Sequence, residues 1–81
     1  MNPTLYLYYR SGCSLCEAMH GELLACDGLP PYELQNVDID NTPELAERYG
    51  SSVPVLTDAS GEEICHYFLD LEALRAYFAT H

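Results

Sequence analysis

Two strand-like runs separated by one helix-period segment constrain this chain more than any other feature. Leu5 to Tyr9 is a short, aromatic-rich run with no breaker, the pattern of a buried strand. Tyr32 to Ile39 repeats the signal, with Leu34, Val37 and Ile39 as its apolar members. Between them, Leu15, Met19, Leu23 and Cys26 recur at helical spacing from Ser14 to about Cys26. Two strands joined through a helix run parallel, with a right-handed crossover. The first half of the chain is therefore predicted as a β-α-β unit.

Turn and cap residues divide the remainder. Asp27-Gly28-Leu29-Pro30-Pro31 ends the first helix. Asn41-Thr42-Pro43 opens a second one, with a capping residue followed by proline at the first helical position, and Gly50 stops it. Val53 to Leu56 reads as a short strand interrupted by Pro54. Asp58-Ala59-Ser60-Gly61 is a hairpin turn, with Glu62 to Tyr67 as the antiparallel return. Asp70 caps a last helix, on which Leu71, Leu74 and Phe78 form the buried stripe. The order β-α-β-α-β-β-α predicts an α/β domain, a four-stranded mixed sheet with helices on both faces, spanning residues 1–81. A chain of 81 residues has a modest core.

Charge narrows the function classes. Thirteen acidic residues face three arginines and no lysine, a net charge of −10. Like charges repel, so nucleic acid and anionic membrane surfaces are not expected partners. Met1-Asn2-Pro3-Thr4 has no basic segment leading into an apolar stretch, and no run is long enough to span a bilayer. A cytoplasmic monomer is expected. In that compartment four cysteines are redox-active, metal-binding or buried more often than paired as structural staples.

Cys13-Ser14-Leu15-Cys16 carries the chemistry. It follows the first strand-like run and precedes the first helix. At the first turn of a helix this spacing brings both sulfurs within bonding reach. It also sets Cys13 beside the unpaired N–H groups and the positive dipole end. A thiol there ionises more easily, and the thiolate is the reactive form. Cys13 is the expected nucleophile and Cys16, one turn further in, the expected resolving thiol. Arg10 and the backbone N–H or hydroxyl of Ser14 are candidates for stabilising the thiolate. Cys26 falls on the apolar stripe and is expected to be buried. The facing of Cys65 is not decidable, because Ile64 and Tyr67 lie on opposite sides of the alternation. Tyr9, Tyr49 and Tyr67 are expected to serve in packing.

These residues resemble the glutaredoxins, a branch of the thioredoxin superfamily. Arg10-Ser11-Gly12-Cys13-Ser14-Leu15-Cys16 is similar to their active-site run, in which a basic residue precedes the first cysteine by three positions. Val37-Asp38-Ile39-Asp40, Pro43-Glu44-Leu45 and Tyr49-Gly50 resemble the middle of those proteins. Ser52-Val53-Pro54-Val55 resembles their Thr-Val-Pro segment. The length resembles that of the small bacterial glutaredoxin-like proteins. The resemblance implies a thioredoxin fold and thiol–disulfide oxidoreductase activity on protein or small-molecule disulfides. It implies a cis Pro54, with Val53 beside Cys13 to pair with an extended substrate. The family carries Gly-Gly, then Ser or Thr, then Asp before the last helix. Here His66-Tyr67-Phe68-Leu69-Asp70 occupies that stretch, and only Asp70 matches. Arg10, Val53, Pro54 and Asp70 are thus the candidate substrate or glutathione contacts. No tightly bound cofactor is implied; glutathione is a candidate co-substrate, and glutathione or a thioredoxin reductase is the candidate electron donor. Two other classes stay open. One is a binding module without turnover. The other is a metal or iron–sulfur carrier built on Cys13, Cys16, His20 and a residue such as His66.

Overall fold

The computed structural model describes residues 2–80. β1 (Thr4–Tyr9) leads into α1 (Ser14–Ala25) and returns as β2 (Glu33–Asp38). A 3-10 turn (Ile39–Asn41) precedes α2 (Pro43–Tyr49); β3 (Val55–Thr57), β4 (Glu63–His66) and α3 (Leu71–Thr80) follow. The sheet order is β2-β1-β3-β4. β1 and β2 are parallel, and β3 is antiparallel to both β1 and β4. This is the predicted order, with the one parallel pair where a helix joins two strands.

Alternation along β1 divides the interior into two cores. Leu5 and Leu7 point to one face, where they pack with Met19 and Leu23 of α1, Leu56, Cys65, and Leu74 of α3. Tyr8 points to the other face and meets Ile39, Leu45, Tyr49, Val53 and Val55 under α2. The Tyr8 and Tyr49 rings stack there at 4.5 Å. A fully buried leucine contributes about 1.5–3 kcal/mol. The α1/α3 face, with Leu5, Leu7, Leu23, Leu56 and Leu74 all buried, is therefore the dominant core. Helices cover both faces, as predicted.

Four details differ from the sequence expectation. The buried stripe of α1 is Cys16, Met19 and Leu23, while Leu15 is 37% exposed. Cys26 is not on that stripe: the helix ends at Ala25, and Cys26 is its half-exposed C-cap with extended backbone. Leu71 is 38% exposed. It stands at the first turn of α3, and Tyr77 joins Leu74 and Phe78 against the core. β3 begins at Val55 rather than Val53, since Pro54 has no N–H to give a ladder.

Cys65 faces the core, 7% exposed. Leu56 opposes Cys65 while Thr57 opposes Glu63, so Ile64 is an extra residue between two paired positions. This irregularity puts Ile64 and Cys65 against the same core. A bulge breaks the period-2 rule, which is why alternation alone could not decide the facing.

The hairpin turn is held by one side chain. Asp58 is buried, and its Oδ1 accepts from the Ser60 N–H, the Ser60 hydroxyl and the Glu62 N–H. Gly61 takes the positive φ of 91° that closes the loop. Among the described residues no helix is long and apolar enough to cross a membrane.

Candidate active site

The site forms where β1 turns into α1. Gly12, with φ of 74°, swings the chain so that Cys13 becomes the N-cap of α1. The Cys13 backbone is extended (φ −95°, ψ 108°), and its Sγ accepts the Cys16 N–H at 3.1 Å. The sulfur thus occupies the place of a capping oxygen, at the positive end of the helix. Cys13 and Cys16 form a disulfide, with Cα atoms 5.2 Å apart. Cys13 is half-buried, and Cys16 is only 4% exposed. Cys13 is thus the more accessible of the two, and Cys16 the more shielded. Ser14 is the exposed first residue of α1; the N–H that reaches the Cys13 sulfur is that of Cys16.

Arg10 lies just beyond β1. Its Nε donates to Asp40 Oδ1 at 3.1 Å, and its Nη1 donates to the Gly50 carbonyl at 3.4 Å. The guanidinium therefore ties the end of β1 to the 3-10 turn and to the end of α2, and Asp40 balances its charge. Gly50 ends α2 as expected, with right-handed backbone (φ −54°). What it supplies is room, because a Cβ there would collide with the Ala46 carbonyl oxygen and sit 3.4 Å from Arg10 Nη2.

The Val53–Pro54 peptide is cis. Pro54 is fully buried, Val53 is half-buried against the second core, and the Pro54 carbonyl accepts the Tyr67 N–H at 2.9 Å. Asp70 is used as a helix cap. Its Oδ1 accepts the Ala73 N–H and its carbonyl the Leu74 N–H, both at 3.0 Å.

A cavity of about 430 Å³ opens behind the dithiol, with Leu7, Tyr9, Arg10, Cys16, Glu17 and His20 in its wall. A second, of about 520 Å³, runs between β4 and the start of α3 and includes Cys65, Phe68 and Asp70. Cys26 and Cys65 are free thiols. Burial pushes the Cys65 thiol above its ordinary value, partly offset by a hydrogen bond from the Asp70 backbone. Among the described residues no group of three or more His, Cys, Asp or Glu side chains is placed to hold a metal ion. His66 instead meets Glu63, Nδ1 to Oε2 at 2.9 Å.

The sequence profile described as Glutaredoxin-like domain (DUF836) matches residues 4–79. The chain belongs to this glutaredoxin-like family. Among solved structures, the solution structure of protein Ne2328 from Nitrosomonas europaea is 37% identical. The match covers 96% of this chain and 93% of that one, with a TM-score of 0.84. The X-ray structure of protein XcR50 from X. campestris is 35% identical, with a TM-score of 0.68 over 95% of this chain and 97% of that one. Mitochondrial thioredoxin 3 from Saccharomyces cerevisiae, in its oxidized form, is 17% identical. It matches with a TM-score of 0.67 over 99% of this chain and 79% of that one, which shows the shared thioredoxin fold. No curated protein matches the chain.

Three residues of this glutaredoxin-like site were not singled out for it from the sequence. Asp40 and Gly50 receive Arg10, at separations of 30 and 40 residues. Tyr67, expected in packing, is 40% exposed and donates its hydroxyl to the Ser51 carbonyl at 2.7 Å. Its φ is 62°, the left-handed region that favours glycine. A signal for it existed, since Tyr67 stands in the stretch where the resembling family carries glycines.

Proposed function

We propose that this glutaredoxin-like protein is a thiol–disulfide oxidoreductase that reduces disulfides through Cys13 and Cys16. One observation carries the reading: Cys13 Sγ caps α1 while bonded to a shielded Cys16. In the reduced protein the Cys13 thiolate attacks one sulfur of a substrate disulfide. That S–S bond breaks, a mixed disulfide forms, and the first substrate thiolate leaves and takes up a proton. Cys16 then gives up its proton and attacks Cys13 Sγ. The second substrate thiolate leaves, and the Cys13–Cys16 disulfide closes. The substrate gains two electrons and two protons, which an external dithiol or thiol donor must restore.

Charge favours a reductase or another dithiol protein over glutathione as that donor. Glutathione is anionic and carries two carboxylates, while the chain has a net charge of −10. Arg10, the cation lining the cavity beside Cys16, is already matched by Asp40. The Asp70 side chain accepts a helix N–H. The protein would work as a cytoplasmic monomer on protein or small-molecule disulfides. A disulfide-reduction assay, run in parallel with glutathione and with thioredoxin reductase as donor, tests the reading. Turnover with the reductase is the expected result. Turnover with glutathione alone would overturn the donor assignment, and turnover with neither these nor dithiothreitol would overturn the activity.

A further inference from the structure

Tyr67 is a bulky residue in a backbone conformation that L side chains rarely adopt. Its φ is 62°, and the Phe68 N–H donates to the His66 carbonyl across it at 2.7 Å. This is a γ-turn with a positive central φ, a rare and strained form. Such strain persists only where the surroundings over-determine it. Here both polar ends of Tyr67 are engaged by one segment of chain. Its backbone N–H donates to the Pro54 carbonyl at 2.9 Å, and its hydroxyl donates to the Ser51 carbonyl at 2.7 Å.

Those two carbonyls bracket Ser52 and Val53. The Ser52 N–H is taken up by the Tyr49 carbonyl at 2.8 Å. Arg10 holds the preceding carbonyl, Gly50, at 3.4 Å. The segment is therefore pinned at Gly50, Ser51, Ser52 and Pro54, whereas Val53 precedes β3 and lies outside the ladder. A glycine at position 67 would adopt the same φ without strain but would leave Ser51 without the phenol.

We propose that Tyr67 is a positioning residue for substrate. By clamping the carbonyls on either side of Val53, it presets the Val53 peptide group as a short edge on which an extended polypeptide carrying the target disulfide docks. Main-chain pairing of this kind gains affinity when the receiving edge is held in place beforehand. The inference rests on the oxidoreductase reading and names its substrate class, a disulfide within a polypeptide rather than a small free disulfide.

The test compares wild type with Tyr67→Phe, which keeps the ring and the N–H and removes only the bond to Ser51. A disulfide-bearing peptide and hydroxyethyl disulfide serve as substrates, with dithiothreitol as donor. Binding of the same peptide in its reduced form is followed by NMR of the Val53 amide. Loss of one hydrogen bond predicts a KM for the peptide raised about two- to tenfold, with kcat unchanged and turnover of hydroxyethyl disulfide unchanged. The reduced peptide should lose affinity by the same factor. Equal peptide affinity in the two proteins overturns the inference, as does an equal loss with both substrates. Absence of turnover in wild type would overturn the oxidoreductase reading alone, because the binding arm still decides the role of Tyr67. Unfolding curves of the two proteins should nearly coincide, because only a single exposed bond is lost.

Discussion

The Cys16 N–H donates to Cys13 Sγ at 3.1 Å, so the sulfur expected to react is also the cap of the helix that carries both thiols. Chemistry and local folding share one atom. The relationship makes the mutational outcomes at the two positions asymmetric.

Serine is among the best N-cap residues. Cys13→Ser should therefore abolish disulfide reduction while leaving the fold within about 1 kcal/mol of the reduced wild type. Cys16→Ser should retain attack but stop resolution, accumulating a mixed disulfide visible by mass spectrometry. Full activity in Cys13→Ser would remove Cys13 from the mechanism.

Asp70 caps α3 through the Ala73 and Leu74 N–H groups. Asp70→Ala should lower stability by about 0.5–2 kcal/mol, the usual cost of losing such a cap, and by more than Asp70→Asn. Denaturant unfolding measures it. If Asp70→Ala weakens glutathione-dependent turnover while stability stays unchanged, the residue belongs to a binding site and not to the cap.

Arg10 and Asp40 are both substantially solvated, with side chains 39% and 49% exposed. Pairs of this kind contribute about 0.2–1 kcal/mol. A double-mutant cycle of Arg10→Gln and Asp40→Asn should return a coupling in that range, shrinking in high salt. The single Arg10→Gln change also removes the bond to the Gly50 carbonyl. Its effect on peptide-disulfide turnover should therefore exceed its effect on the rate of Cys13 alkylation.

Cys65 offers a pH test. Burial raises its thiol pKa in the folded protein, so the folded state holds this proton more tightly than the unfolded chain does. Its contribution to stability is full below the ordinary thiol value of about 8.5. It is lost as pH rises through that value toward the raised one. Stability of wild type should fall more steeply over this alkaline range than that of Cys65→Ala. At neutral pH, iodoacetamide should modify half-exposed Cys26 well before Cys65. Equal labelling rates in the native protein would contradict the buried position.

The β-α-β unit, the four-stranded mixed sheet and the place of the dithiol were legible because they rest on local signals. These signals are apolar periodicity in Leu5 to Tyr9 and along α1, the Thr42–Pro43 start, the Asp58–Gly61 turn and the Asp70 cap. Each is decided by interactions within a few residues, which a sequence displays directly. Cys13-Ser14-Leu15-Cys16 is of the same kind, since a three-residue spacing at a helix start brings two sulfurs together whatever packs around them. Only the tertiary structure decided that Cys65 faces the core, because a bulge at Ile64 breaks the alternation. It alone showed that Arg10 is bound to Asp40 and Gly50, and that Tyr67 closes onto Ser51 and Pro54. Those contacts join residues 13 to 40 positions apart. Which carbonyl a long polar side chain reaches depends on how strands and helices pack, and no local pattern records it.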